Sequence, residues 1–293
     1  LYKTTDGGKT WNKIHNGFPT GDLGRFAIAV APSEPNRLYA VVEAKEDKGL
    51  YRSDDAGASW KYLNKDFEVV VRPFYFSRIV VSPYNPDILL KAGLSGYMSK
   101  NGGKNFRAIN GGVHSDFHDY AFSVSDSSKI YVGTDGGVYR SYDGGTVWEM
   151  VRGLPVSQFY QVAVDNQQPY NVYGGLQDNG SWFGPSQTHR RNIVNGDWTY
   201  TIGGDGYLSI PDPENPDIHY CESQYCGLRR YDESTGNSIS IKPQPTEDEE
   251  YNWNWNTPYF ISKFNNKTLY IGGNYVLKST DMGGTWNKIS GDM

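Results

Sequence analysis

Short runs of apolar and aromatic residues, broken every few positions by turn formers, set the pattern of this chain. Phe26-Ala27-Ile28-Ala29-Val30, Leu38-Tyr39-Ala40-Val41-Val42, Leu50-Tyr51-Arg52-Ser53 and Trp60-Lys61-Tyr62-Leu63 are each bounded by Gly, Pro, Asn or Asp. β-Branched and aromatic enrichment between such residues is the signature of strands. No segment sustains apolar positions at a period of 3.6, so helices are not expected. The four runs predict strands A, B, C and D of one antiparallel unit, with Pro32 to Asn36 turning the chain between A and B.

The unit recurs. Thr4-Thr5-Asp6-Gly7-Gly8-Lys9-Thr10-Trp11 fits S/T-x-D-x-G-x-T-W, and close copies begin at Ser53, Ser141 and Ser279. A decayed copy at Ser99 keeps its glycines but has Asn101 for the acid and Phe106 for the indole. Starting positions 4, 53, 99, 141 and 279 give intervals of 49, 46, 42 and 138 residues, the last being three times 46. Two eroded units are therefore expected between 141 and 279. Arg230 to Gly236 is the remnant of one box, and in the other a longer Pro185 to Asp197 connection replaces it, with Trp198 at the indole position.

A period of about 40–50 residues with four short strands per unit predicts an all-β fold, a β-propeller of four-stranded antiparallel blades. Residues 1–15 supply strands C and D only and 16–293 supply six complete blades, making a ring of about seven blades or an arc of a larger one. The expectation is a single propeller domain over 1–293, a piece of a longer chain with further blades or domains. The missing A and B strands would otherwise leave an exposed edge, which natural sheets avoid.

The box needs no ligand to explain it. Its Asp can accept backbone N–H bonds in the C–D turn, its glycines can take positive φ, and its Trp can pack between blades. Strand direction reverses at each hairpin, so boxes and A–B turns share one face while B–C turns and D–A connections share the other. The search for chemistry moves to that second face.

Composition narrows the classes. Net charge is −5 and mean hydropathy −0.64, with 34 glycines and 15% aromatic residues. The charge argues against a nucleic-acid footprint, and no apolar run approaches the roughly 20 residues that span a bilayer. Cys221 and Cys226 flank a hairpin turn, and their spacing leaves a disulfide open.

On the second face the chain places Arg72-Pro73-Phe74-Tyr75-Phe76, His114-Ser115-Asp116-Phe117-His118, the turn around Asp135, Gln158-Phe159-Tyr160, Gln177-Asp178-Asn179-Gly180, Gly203-Gly204-Asp205-Gly206 and an insertion over 244–258. The insertion carries Glu247 to Glu250, Trp253 and Trp255. Residues two apart in an extended segment point the same way, so His114, Asp116 and His118 are candidate ligands for a divalent metal, against the plainer reading that they bond each other and hold a loop. No other cofactor is indicated. Asp135, Asp178 and Asp205 are candidate catalytic acids, because glycoside hydrolysis uses two carboxylates flanking the scissile bond. Arg72, Phe74, Tyr75, His114, Asp116, His118, Gln158, Tyr160, Gln177, Asn179 and Trp253 are candidate ligand contacts, with Trp182 a further ring for stacking on sugars. Taken singly, Asp-Gly and Asp-Asn-Gly are ordinary turn sequences.

The boxes resemble the Asp-box (BNR) repeats of sialidases, of two-propeller xyloglucan-processing glycoside hydrolases and of the sortilin propeller. Arg72 to Tyr75, His114-x-Asp116-x-His118, Asp135 to Ser141, Gln158 to Tyr160 and Gly175 to Gly180 resemble, in the same order, large bacterial proteins labelled glycosyl hydrolase or sortilin-like. That resemblance implies an extracytoplasmic protein, secreted, periplasmic or at the bacterial cell surface. It implies a carbohydrate-binding or glycoside-hydrolase-like propeller acting on a polysaccharide or oligosaccharide, or else a sortilin-like binder of exported proteins or peptides without catalysis. The leading Arg-Ile-Pro motif of sialidases is absent, which argues against sialidase activity. The xyloglucan enzymes place their acids between two propellers, whereas this chain has blades for about one.

Overall fold

The computed structural model describes residues 1–293 apart from 155, 191, 247 and 248. Among the described residues the chain forms one two-stranded and six four-stranded sheets, all antiparallel. The half blade is β1 (Tyr2–Lys3) and β2 (Asn12–Lys13). Blade 1 is β3 (Leu23–Val30), β4 (Leu38–Ala44), β5 (Gly49–Ser53) and β6 (Lys61–Asn64). Blade 2 is β7 (Ile79–Val81), β8 (Leu89–Lys91), β9 (Tyr97–Ser99) and β10 (Arg107–Ala108). Blade 3 is β11 (Phe117–Phe122), β12 (Ile130–Thr134), β13 (Gly137–Ser141) and β14 (Glu149–Met150). Blade 4 is β15 (Phe159–Val164), β16 (Asn171–Leu176), β17 (Gly180–Pro185) and β18 (Thr199–Ile202). Blade 5 is β19 (Ser209–Pro211), β20 (Ile218–Cys221), β21 (Arg229–Asp232) and β22 (Asn237–Ser240). Blade 6 is β23 (Tyr259–Ser262), β24 (Asn265–Gly272), β25 (Val276–Ser279) and β26 (Asn287–Lys288).

Within each blade the strands pair in chain order, A to D, the meander of a β-propeller. Both eroded blades lie where the spacing puts them, as blades 4 and 5. The chain separates into two compact units, Leu1–Leu154 with the half blade and blades 1–3, and Pro155–Met293 with blades 4–6.

Inner strands are apolar on both faces because each blade packs against a neighbour on either side. In β4, Tyr39 and Val41 join Ile79, Val81 and Leu89 of blade 2, while Ala40 and Val42 join Phe18, Tyr51 and Trp60 toward the half blade. In β8, Leu89 belongs to the cluster shared with blade 1 and its neighbour Leu90 to the cluster shared with blade 3. Alternate residues point to opposite faces, so a strand buried on both reads as a continuous apolar run. Full burial of Leu89 and Leu90 stabilises the fold by about 1.5–3 kcal/mol each.

The same alternation decides the cysteines. Tyr220 and Cys226 pack toward blade 6, whereas Cys221 packs with Ile202 and Tyr231 toward blade 4. Cys221 pairs across the hairpin with Arg229, leaving Cys226 in the intervening loop. Both thiols are buried and free, so no disulfide forms.

Boxes close the C–D turns. Around Asp55, the Ser53 hydroxyl donates to Oδ1 at 2.7 Å, the Ser59 amide to the same oxygen at 2.8 Å, and the Ser59 hydroxyl to Oδ2 at 2.5 Å. The Gly57 amide donates to Ser53 Oγ at 2.8 Å, and Gly57 has φ +86°. In the decayed copy Asn101 Oδ1 still accepts from Ser99 Oγ and the Asn105 amide, because an amide oxygen offers the same lone pairs. Trp60 stacks on Phe18 with centroids 4.8 Å apart, and the Trp286 indole N–H donates to Ile241 O.

Candidate functional site

In the first unit, the D–A loop between β6 and β7 carries a compact aromatic turn. Arg72 sits at φ +42°, its carbonyl accepts from the Tyr75 and Phe76 amides, and its guanidinium carbon lies 5.3–5.8 Å from the centroids of Phe74, Tyr75 and Phe76. That distance is within reach of cation–π attraction. The turn is tied down from beneath by Lys91, fully buried in β8, whose ammonium donates to the Phe76 and Ala92 carbonyls. Burial lowers the Lys91 pKa to about 8. Sequence alone gave no reason to single out this lysine.

His118, the second residue of β11, packs edge-on against Tyr75 with centroids 5.2 Å apart, and its Nε2 lies 2.5 Å from Asp135 Oδ1. His114 bonds its neighbour's carbonyl, Ser115 O, through Nδ1 at 3.0 Å, and its ring covers Gly136, where a Cβ would come within 2.4 Å of it. Between them Asp116 takes φ +61°, so the segment is not evenly extended and the three side chains do not follow strand alternation. Asp116 instead approaches Asp135, their carboxylate oxygens lying within 4.8 Å. Asp116 Oδ1 is buried and meets no hydrogen-bond donor among the described residues. The arrangement gives a histidine whose orientation is fixed by one acid, with a second acid alongside and an exposed aromatic and cationic turn at its rim.

In the second unit, glycines let two loops touch. A Cβ on Gly175 would fall 2.1 Å from the carbonyl carbon of Gly206, and one on Gly206 would fall 2.3 Å from Gly180 O. The 203–206 segment therefore lies directly on the turn after β16, with Gly206 N donating to Leu176 O and Gly180 N to Gly204 O, each at 2.9 Å. Asp178, at φ +59°, donates its amide to Asp205 Oδ1 at 2.9 Å. Asp205 also accepts from Tyr207 Oη at 3.2 Å and from the Trp255 indole at 3.1 Å. Three donors around a carboxylate with 5% exposure make Asp205 a bracket for this face. Asn179 Nδ2 donates to Gln177 O and its own carbonyl accepts from the Trp182 indole, while Gln158 and Gln177 are exposed. Tyr160 is 45% exposed and stacks on Tyr207 at 5.2 Å.

The 244–258 loop divides its two indoles. Trp253 packs against the blade 5 and 6 core and over Gly273, whereas Trp255 is 49% exposed. Glu247 and Asp248 lie outside the described residues. Glu222, directly after β20, is fully buried; burial pushes its pKa up to about 7 against the pull of its bond to Thr257. An acid next to Cys221 in a short B–C loop carried no motif that would have marked it.

A BNR/Asp-box repeat profile matches residues 2–13, the half blade and its box. This chain carries the Asp-box repeat. Among curated proteins it is 27% identical over 219 residues to the oligoxyloglucan-reducing end-specific xyloglucanase of Emericella nidulans, covering 62% of this chain and 27% of that one. It is 25% identical over 240 residues to the xyloglucanase Xgh74A of Acetivibrio thermocellus, covering 74% and 25%. A solved GH74 enzyme from Niastella koreensis superposes with a TM-score of 0.39 at 16% identity, covering 89% of this chain and 37% of that one. The chain spans about 27–33% of the length of the first curated relatives it matches. No helix among the described residues is long and apolar enough to cross a membrane.

Proposed function

We propose that the Asp-box propeller of this chain is the carbohydrate-directed part of an extracytoplasmic glycoside hydrolase, binding a xyloglucan-type polysaccharide at the face formed by its D–A and B–C loops. Similarity to xyloglucanases over most of the chain is the observation that carries the reading. Each unit adds support of its own kind. In the first, Asp135 holds His118 beside the Arg72 to Tyr75 turn; in the second, Tyr160, Gln177 and Asn179 lie next to Asp178. Asp135 in the first unit and Asp178 in the second are each proposed as an acid that handles a proton at a glycosidic bond. Asp205, held by three donors, is assigned to positioning. A divalent ion at His114, Asp116 and His118 is not part of this reading, because the positive φ of Asp116 breaks the alternation that would aim the three side chains together.

The decisive assay uses the intact parent protein on xyloglucan and on other plant and bacterial polysaccharides, with Asp135→Ala and Asp178→Ala. Loss of turnover with retained glycan binding is expected for a residue in the chemistry. Equal turnover in all variants removes both acids from the mechanism. Capture of an exported protein or peptide, without glycan binding, replaces this reading with the sortilin-like one.

A further inference from the structure

Two acids, Asp205 just before β19 and Glu222 just after β20, grip residues 249–258 at points two residues apart. Asp205 Oδ2 accepts the Trp255 indole N–H at 3.1 Å, and Glu222 Oε1 accepts the Thr257 amide at 2.7 Å. Tyr207 ties the acids together, its amide donating to Glu222 O and its hydroxyl to Asp205. On the outer side, the Tyr225 amide donates to Trp255 O, Lys242 Nζ donates to Tyr225 O at 2.8 Å, and the two rings meet edge to face at 5.0 Å. Tyr225 and Trp255 are each about half exposed. With its N–H already bonded, the indole offers solvent chiefly its ring face.

We propose that Asp205 and Glu222 are positioning residues that clamp residues 249–258 and hold the Tyr225–Trp255 pair as a stacking surface for a neutral sugar ring, Glu222 setting the clamp through its own protonation. The sugar part rests on the carbohydrate reading above; the clamp does not. Glu222 Oε2 is buried and meets no hydrogen-bond donor among the described residues, so the charged form has one partner where a buried carboxylate needs several. The titratable groups whose charge acts with Glu222 are Tyr207, Cys226 and Tyr259, all kept protonated at neutral pH by burial. None supplies a positive charge. Glu222 is accordingly neutral in the closed clamp, and its ionisation as pH rises through about 7 favours a hydrated, opened loop.

Hydrogen exchange at the Thr257 amide, measured on the full chain and corrected for intrinsic rates, reads the clamp without a ligand. Between pH 6 and 8 the neutral fraction of a group titrating near 7 falls about tenfold, and Thr257 protection is expected to fall by about the same factor. Glu222→Gln keeps an acceptor for Thr257 and cannot ionise, so its protection should stay flat. Protection in wild type that ignores pH, or that titrates equally in Glu222→Gln, overturns the clamp. Calorimetry with xyloglucan oligosaccharides then tests the surface. Trp255→Ala should weaken binding at least about tenfold. Trp255→Phe, which keeps one aromatic ring but loses the bond to Asp205 and part of the ring face, should fall between it and wild type. Unchanged affinity in Trp255→Ala overturns the stacking role. Wild type that binds none of these sugars, yet shows the pH-dependent Thr257 protection, removes the carbohydrate reading and leaves the clamp standing.

Discussion

The acids on the two faces of the blades are handled in opposite ways. Asp55 and Asp281 lie in solvent, and donors from their own turns hold them below the usual carboxylate range, Asp281 at about 2. Glu222 is fully buried, has one donor, and is pushed up to about 7. Turn donors keep the solvent-exposed box acids charged, whereas burial, only partly opposed by Thr257, favours the neutral form of Glu222. Box acids brace corners, and Glu222 sits where a loop meets its scaffold.

The contrast can be broken most forcefully at Asp205. Asp205→Ala leaves the Asp178 amide, the Tyr207 hydroxyl and the Trp255 indole without their acceptor, and should lower stability by roughly 3 kcal/mol or more in urea denaturation. A loss under about 1 kcal/mol, the scale of an ordinary single hydrogen bond, would show that it is no bracket.

Nearly as large is the effect of pH on Glu222. Its folded-state pKa is raised, so the native state binds the extra proton, and stability is present at low pH and lost as pH rises from about 4.5 to about 7. The shift corresponds to about 3 kcal/mol at most. Glu222→Gln should flatten this limb of the stability curve, and a limb of unchanged slope would assign it elsewhere.

Gly175→Ala comes next. A methyl group meeting the Gly206 backbone should cost about 1–3 kcal/mol by separating the 203–206 segment from the Asp178 turn. A crystal structure of the variant with that contact unchanged would refute this cause.

The smallest effect is expected at the boxes. Asp55 has a lowered pKa, so its contribution is present above the ordinary Asp value and lost as pH falls from there through the lowered one. Asp55→Ala should depress the melting temperature slightly and blunt only the acid limb, leaving the portion from about pH 4.5 to about 7 to Glu222. Interchange of the two limbs between these variants would undo the comparison.

What could be read from residues alone follows the same division. Box positions, the two eroded blades and the A–D strand order were legible because Asp, Gly and Trp recur at fixed offsets and because inner strands such as β4 and β8 are apolar throughout. Legibility stopped where the chain leaves regular strands. Trp253 and Trp255 have the same parity, yet one enters the core and the other faces out. His114, Asp116 and His118 also share a parity, which the positive φ of Asp116 breaks. Lys91, at the end of β8, and Glu222, just after β20, have no motif around them, and only the packing of neighbouring blades shows that their polar ends are enclosed. Arg72, Asp135 and Tyr160 were visible as unusual residues on the loop face, but what each of them touches was not.

The Asp55 box bonds close over no more than four residues, and those around Asp6, Asp143 and Asp281 span the same distance. Loops that short form within about 0.01–0.1 microseconds, long before strands of different blades can meet. Folding of this chain should therefore start at several corners at once, with high φ-values at Ser53, Ser141 and Ser279 and low ones in blade 4, where a longer connection replaces the box; in blade 5 Asp232 still accepts from the Ser234 and Thr235 amides. A nucleus found in blade 4 would refute this order. Erosion of the box in blade 4 thus trades early folding for loop length at that corner, and this is the blade that carries the Asp178 turn.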